Sequence, residues 1–207
     1  FSGAAGDQLG KAVALQSNRA IVSAWQTDLP GGLTDVGRTY IYKKTNDLWS
    51  VEQILDPDNT TRSEDSYGES VALDGNVLAV GSGNADASPS MVNIGKVLLY
   101  RYNGVNWTLE QKLNATDAVA NDYFGSSVAL LGNVLAIGSP YDDDRGSNSG
   151  SVYIFNYVNN RWTQQQKITA FDGNVDDNFG IALARVGNSL FVGAKNDDDL
   201  GTNAGAV

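Results

Sequence analysis

Residues 122–140, DYFGSSVALLGNVLAIGSP, decide the fold, because the chain holds three more stretches of the same kind. Residues 65–83 read DSYGESVALDGNVLAVGSG, residues 7–25 read DQLGKAVALQSNRAIVSAW, and residues 177–195 read DNFGIALARVGNSLFVGAK. The anchor glycines Gly10, Gly68, Gly125 and Gly180 stand 58, 57 and 55 residues apart. A period of that length marks an array of similar supersecondary units. Within a unit the apolar residues alternate with a period of two, which argues strands and not helices. In the second copy, residues 70–73 form one short run, Gly75-Asn76 a turn, and residues 77–80 a second run. Beyond a long polar loop, residues 96–102 form a third run. Asn103-Gly104 then reads as a type I′ hairpin turn, and residues 107–113 close the unit. The third copy repeats this plan at 151–157 and 162–168 around Asn159-Asn160, and the first at 39–42 and 49–55 around Asn46-Asp47.

Four short antiparallel strands per repeat, here A to D, predict an all-β chain and a β-propeller with one repeat per blade. Strand A carries Ala, Val and Ser, small enough for a crowded axis, and strand D carries the Trp and the charges. Trp49, Trp107 and Trp162 recur at one repeat position, as residues packed between blades would. The repeats run 1–58, 59–115, 116–170 and 171–207 within a single domain, 1–207. Val207 aligns with Val152, so the fourth repeat is incomplete, and Phe1 aligns with Phe171. Three explanations stay open: a longer chain with more blades, a small propeller lacking an outer strand, or assembly with another copy. The first is preferred, because unpaired strand edges are sticky. The strand A faces around Val13, Val71, Val128 and Leu183 are expected to be buried.

The pattern resembles the FG-GAP repeat of integrin-α-type propellers. Phe124-Gly125 and Phe179-Gly180 match its FG, residues 135–140 (LAIGSP) its GAP strand, and residues 150–155 (GSVYIF) the strand that follows. The resemblance covers all four copies. It implies a non-catalytic module of the extracellular space or cell surface, bound to a protein partner or built into a surface assembly. Calcium-binding members carry a D-x-D-x-D-G loop between strands A and B. Here that connection is only Ser17-Asn18, Gly75-Asn76, Gly132-Asn133 or Gly187-Asn188, so no such loop carries over. Some integrin-like propellers in lectins bind sugars at blade junctions, which keeps a carbohydrate-binding alternative open. A calcium-dependent hydrolase is a third reading.

A net charge of −10 and a pI near 4.3 argue against nucleic acid and anionic membrane surfaces as partners. No apolar run is long enough for a membrane span. The absence of Cys excludes disulfides. Three N-x-S/T triplets, at Asn59, Asn106 and Asn114, are glycan acceptors in form and a modest sign of secretion.

The A-to-B and C-to-D turns are tight, so the long B-to-C and D-to-A loops gather on one face, and they are acidic. The B-to-C loops of copies three and four read YDDDRGSNSG (141–150) and NDDDLGTNAG (196–205). Clustered carboxylates with Asn and backbone carbonyls suit a hard cation, calcium above all. The expected ligands are Asp142, Asp144 and Asn148, and Asp197, Asp199 and Asn203. The competing reading is that these residues are turn formers on a solvated face. Without His or Cys the commonest general base and thiol nucleophile are missing. Acids that recur by repeat fit a structural role better than one catalytic site, so no enzyme is expected. Trp25 and Tyr141 lie at the mouths of B-to-C loops. They could anchor a protein or stack on a sugar ring, although Trp25 could equally pack over Pro30 and Leu33. Arg145 and Lys195, lone cations among acids, are expected to make local salt bridges.

Overall fold

The computed structural model describes residues 3–207, and Phe1, aligned above with Phe171, lies outside them. The strands are β1 (Leu9–Gln16), β2 (Arg19–Ala24), β3 (Arg38–Thr45) and β4 (Leu48–Leu55) in unit one. Unit two holds β5 (Ser70–Asp74), β6 (Val77–Ser82), β7 (Lys96–Tyr102) and β8 (Trp107–Leu113). Unit three holds β9 (Ser127–Leu131), β10 (Val134–Ser139), β11 (Ser151–Val158) and β12 (Arg161–Ile168). Unit four has β13 (Phe179–Val186) and β14 (Ser189–Ala194), followed by a single bridge from Ala194 to Ala206. The first three units are four-stranded sheets with strands in chain order, and the fourth is a two-stranded sheet. Within the sheets every strand pairing is antiparallel, and no helix occurs among the described residues.

Local chemistry sets the connections. The β3–β4 and β11–β12 turns place Asn46 and Asp47, and Asn159 and Asn160, at positive φ, a conformation Asn and Asp tolerate. The β7–β8 connection corrects the expected two-residue turn at Asn103-Gly104. It is a four-residue loop in which the Asn103 carboxamide oxygen accepts the amides of Val105 and Asn106. Asn103 keeps negative φ because its side chain closes the loop instead.

The units stack through their first strands: β1 packs on β5, β5 on β9 and β9 on β13. Each junction has its own core. Ile21, Ile41 and Leu55 meet Tyr67, Leu78, Val80 and Trp107 between units one and two. Ala79, Leu99 and Leu113 meet Phe124, Leu135, Ile137 and Trp162 between two and three. Ala129, Ala136 and Val152 meet Phe179, Leu190 and Val192 between three and four. Trp107 and Trp162 are buried, as expected, and truncating such a residue costs about 3–5 kcal/mol. Trp49, their counterpart in unit one, is only half-buried.

Polar contacts repeat with the packing. The Gln53 carboxamide donates to the Trp107 carbonyl and accepts its amide, both at 2.8 Å, and Gln111 does the same with Trp162 at 2.8 and 2.9 Å. The Ser70 and Ser127 hydroxyls donate to the carbonyls of Gly125 and Gly180. The strands approach so closely there that a Cβ on Gly81 or Gly138 would lie 2.0 Å from those same carbonyl oxygens. At the periphery the Arg19 guanidinium, paired with Glu52, lies over Tyr102, and that of Arg101, paired with Glu110, lies over Tyr157.

The expected burial of strand A faces holds in the middle of the stack and fails at its first unit. Val128 is buried, Val71 and Leu183 are half-buried, and Val13 is 68% exposed. Among the described residues no strand packs on β1 from the side opposite β5.

Candidate functional site

The long loops do share one end of the molecule, and they interlock. The amides of Asn121 and Tyr123 donate to the carbonyls of Val92 and Asn93, and those of Asp176 and Asn178 to Ser147 and Asn148. The B-to-C loops of units one, two and three are thereby fastened to the segment that leads into the next unit, in unit one by the amides of Glu64 and Ser66 on the carbonyls of Thr34 and Asp35.

Most of the acids have a local task. Asp7, Asp65, Asp122 and Asp177 each accept, through one carboxylate oxygen, the amide three residues earlier, at 2.7 to 3.0 Å. Within the B-to-C loops, Asp28, Asp86, Asp143 and Asp198 each accept an amide five or seven residues ahead. A carboxylate that accepts a backbone amide closes a turn that would otherwise leave a donor unpaired. The device is common to all four units, including the two without a DDD run.

Cations from the sheets balance this charge. Lys96, at the start of β7, is 3% exposed, and its ammonium reaches Asp65, fully buried, at 3.0 Å and Asp58 at 3.5 Å. Lys112 on β8 also meets Asp58, at 3.3 Å. Its counterpart on β12, Lys167, holds Asp117 at 2.8 Å and Asp142 and Asp144 at 2.7 Å. The Tyr153 hydroxyl, 3.0 Å from both Asp117 and Asp142, completes that group. Burial disfavours the Lys167 cation, but its hydrogen bonds to the three carboxylates outweigh this and raise its pKa. Burial likewise pushes Asp117 up, and the bonds from Lys167 and Tyr153 bring it below the ordinary value. Asp122, buried beside them, moves the other way. Desolvation, with repulsion from Asp142 and Asp143, raises it to about 6 against the pull of the Val119 amide.

The expected calcium ligands therefore divide. Asp142 and Asp144 do come together, but around the Lys167 ammonium. Asn148 turns its carboxamide to Asp176 at 2.7 Å. In unit four, Asp197 accepts the Asp199 amide as Asp142 accepts that of Asp144. Asn203 contributes its own amide to Asp198. Repulsion, first from Asp197 and then, after a little burial, from Asp172 and Asp177, raises the Asp199 pKa. Among the described residues no group of three or more acidic side chains converges so as to hold a metal. In unit three the acidic side chains enclose the Lys167 ammonium, so as placed they do not fit a calcium cage.

Trp25 is half-buried. Its indole N–H donates to Gln8 at 3.1 Å, and the Lys11 ammonium lies 4.1 Å from its ring centroid. Tyr141 is half-buried edge-on to Tyr123, with centroids 5.0 Å apart. Asn59, Asn106 and Asn114 are all exposed, and the Asn114 carboxamide donates to the Gly95 carbonyl. The Arg145 guanidinium meets the Thr169 hydroxyl, not a carboxylate. Sequence reasoning missed Lys96, Lys112 and Lys167. For Lys112 and Lys167 the signal was available in EQK and QQK at the same place in strand D, where the first repeat has EQI.

The FG-GAP repeat model matches residues 2–42, 107–155 and 162–207, most of the chain. The chain belongs to the FG-GAP repeat family. FG-GAP repeats typically occur in extracellular or cell-surface proteins and generally act as non-catalytic protein-interaction modules. No curated protein matches this FG-GAP chain. Among solved structures it is similar to the crystal structure of Saccharomyces cerevisiae Sqt1, at 10% identity and a TM-score of 0.49. That similarity covers 83% of this chain and spans 38% of the other. No helix among the described residues is long and apolar enough to cross a membrane.

Proposed function

We propose that this FG-GAP chain is a propeller-type, non-catalytic interaction module of the extracellular space or cell surface. Its acidic loop end would serve as the recognition platform for a protein partner. The observation that carries this reading is the interlocking of successive B-to-C and D-to-A loops by backbone hydrogen bonds. Loops fastened in this way present a preorganised surface, which lowers the ordering cost of binding. The net charge of −10 favours a partner with a basic patch. Arrays of purified extracellular proteins and of glycans test it. Saturable binding to a basic protein, weakened by salt, is expected, and a chain silent on every protein would end the reading.

A second reading, carbohydrate binding, is favoured by Trp25. A half-exposed indole with Gln8 and Lys11 beside it offers a stacking face and polar groups to a sugar. Glycan binding abolished by Trp25→Ala would put this reading first. Calcium belongs to the proposal only at unit four, where no lysine or arginine pairs with Asp197 or Asp199 among the described residues. Thermal melts with calcium and with a chelator would then differ by more than about two degrees, and equal melts would retire it.

A further inference from the structure

Asn103-Gly104 is the one Asn-Gly step in the chain, and it lies in the exposed loop between β7 and β8. The corresponding turns of units one and three, Asn46-Asp47 and Asn159-Asn160, are closed by the pairing of the strands that flank them. Unit two closes its loop with a side chain. The Asn103 carboxamide oxygen accepts the Val105 amide at 3.0 Å and the Asn106 amide at 2.9 Å. The Asn103 amide donates in turn to the Asn106 carbonyl at 3.1 Å.

Three features of this loop favour one reaction. Two N–H donors on the carboxamide oxygen draw electrons from its carbon, and they are placed to hold the negative charge that builds on that oxygen when a nucleophile adds. The nucleophile that the chain itself supplies is the next backbone nitrogen. The Gly104 amide donates to no acceptor among the described residues. Gly104 also carries no side chain to crowd that nitrogen, and a Cβ built there would meet nothing within 4 Å. The two Asn-Ser steps lack this combination. The Asn148 carboxamide donates to Asp176 at 2.7 Å, and the Ser149 amide donates to the Gly146 carbonyl at 3.0 Å. After Asn188, Ser189 is paired with Val186 in the β13–β14 hairpin.

We propose that Asn103 is a self-modifying residue, converting in the folded protein to aspartate and isoaspartate without an enzyme. The Gly104 nitrogen gives its proton to water or hydroxide and bonds to the side-chain carbonyl carbon of Asn103. The carboxamide nitrogen takes a proton from water, its bond to that carbon breaks, and it leaves as ammonia. A cyclic succinimide remains. Water then opens the ring, at the side-chain carbonyl to give aspartate or at the main-chain carbonyl to give isoaspartate. Aspartate keeps an oxygen for the Val105 and Asn106 amides. Isoaspartate routes the main chain through the former side chain, which loosens the loop four residues before Trp107, buried between units one and two. Either product adds a negative charge to the chain. The inference goes beyond the module reading and does not depend on it.

The test is incubation of the whole chain in mildly alkaline buffer, folded and, in parallel, unfolded in guanidinium chloride. Anion exchange separates the converted chain by its extra charge, and peptide mapping by mass spectrometry locates the change. Asn103 should gain one mass unit, with isoaspartate in the peptide that carries it. In the folded chain it should convert at least as fast as in the unfolded one, and roughly tenfold faster than Asn148 or Asn188. An Asn103 that stays intact in the folded chain while it converts in denaturant overturns the proposal, because the loop would then protect it. Faster conversion at Asn148 or Asn188 overturns it as well. Neither result touches the loop-end reading, which the protein and glycan arrays judge separately.

Discussion

The B-to-C loops of units three and four have nearly the same sequence and the same turns but opposite electrostatic settings. In both, the first Asp accepts the amide two residues on, and the second accepts the amide of an Asn at positive φ. In unit three the outer strand brings Lys167 to within 2.7 Å of Asp142 and Asp144. In unit four repulsion from Asp197, with slight burial and the charges of Asp172 and Asp177, raises the Asp199 pKa. The loop sequence therefore fixes its own backbone shape, while its charge balance depends on β12, the last strand of the unit. In unit three the acidic loop is a set of backbone caps neutralised from the outer strand of its own sheet, and in unit four the same caps lack that cation among the described residues.

The comparison extends to unit two, where the pair is most buried and the expected effect largest. Lys96→Met should leave the fully buried Asp65 carboxyl without its cation, at a cost of about 3–5 kcal/mol in urea unfolding. A loss below about 1 kcal/mol would break the argument that lysines hold the loop end together.

Lys167→Gln tests unit three directly. The Asp142 side chain is 4% exposed, so about 2 kcal/mol should be lost at neutral pH. The loss should shrink in acid, because Asp117, which profits from Lys167, becomes protonated as pH falls through its lowered pKa. A loss independent of pH would assign Lys167 a packing role instead.

Asp122→Asn sharpens the picture in the opposite direction. The native pKa of Asp122, about 6, lies above an unfolded value near 3.9, so the native state holds the extra proton between those limits. Stability from this group is full at low pH and declines as pH rises through about 6. The Asn variant keeps an acceptor for the Val119 amide and should gain about 1–2 kcal/mol at pH 7, with little change at pH 4. A variant less stable than wild type at pH 7 would mean that the carboxylate is needed charged.

Unit four should respond least. Asp199→Asn removes a repelled, exposed carboxylate and should leave Tm within about a degree of wild type. A drop of several degrees that calcium restores in the wild type alone would instead reinstate a cation at this loop.

The sequence by itself determined the strands, their order and the all-β class, because a period-two pattern repeated four times leaves few alternatives. Observed β5 to β8 begin and end within two residues of the runs read from the alternation. It also located the loop end and its charge, since tight A-to-B turns leave only one end for the long loops. Tertiary structure decided where that charge is balanced. Lys96 is close in space to Asp65 but 31 residues away in the chain, and Lys167 lies 50 residues from Asp117. Only the antiparallel register of β7 and β12 brings those ammonium groups to the loops. Tertiary structure also decided that Val13 stays exposed while Val128, at the same repeat position, is buried. A repeat pattern records which face of a strand is apolar, and only the stacking of the units records whether another sheet covers it.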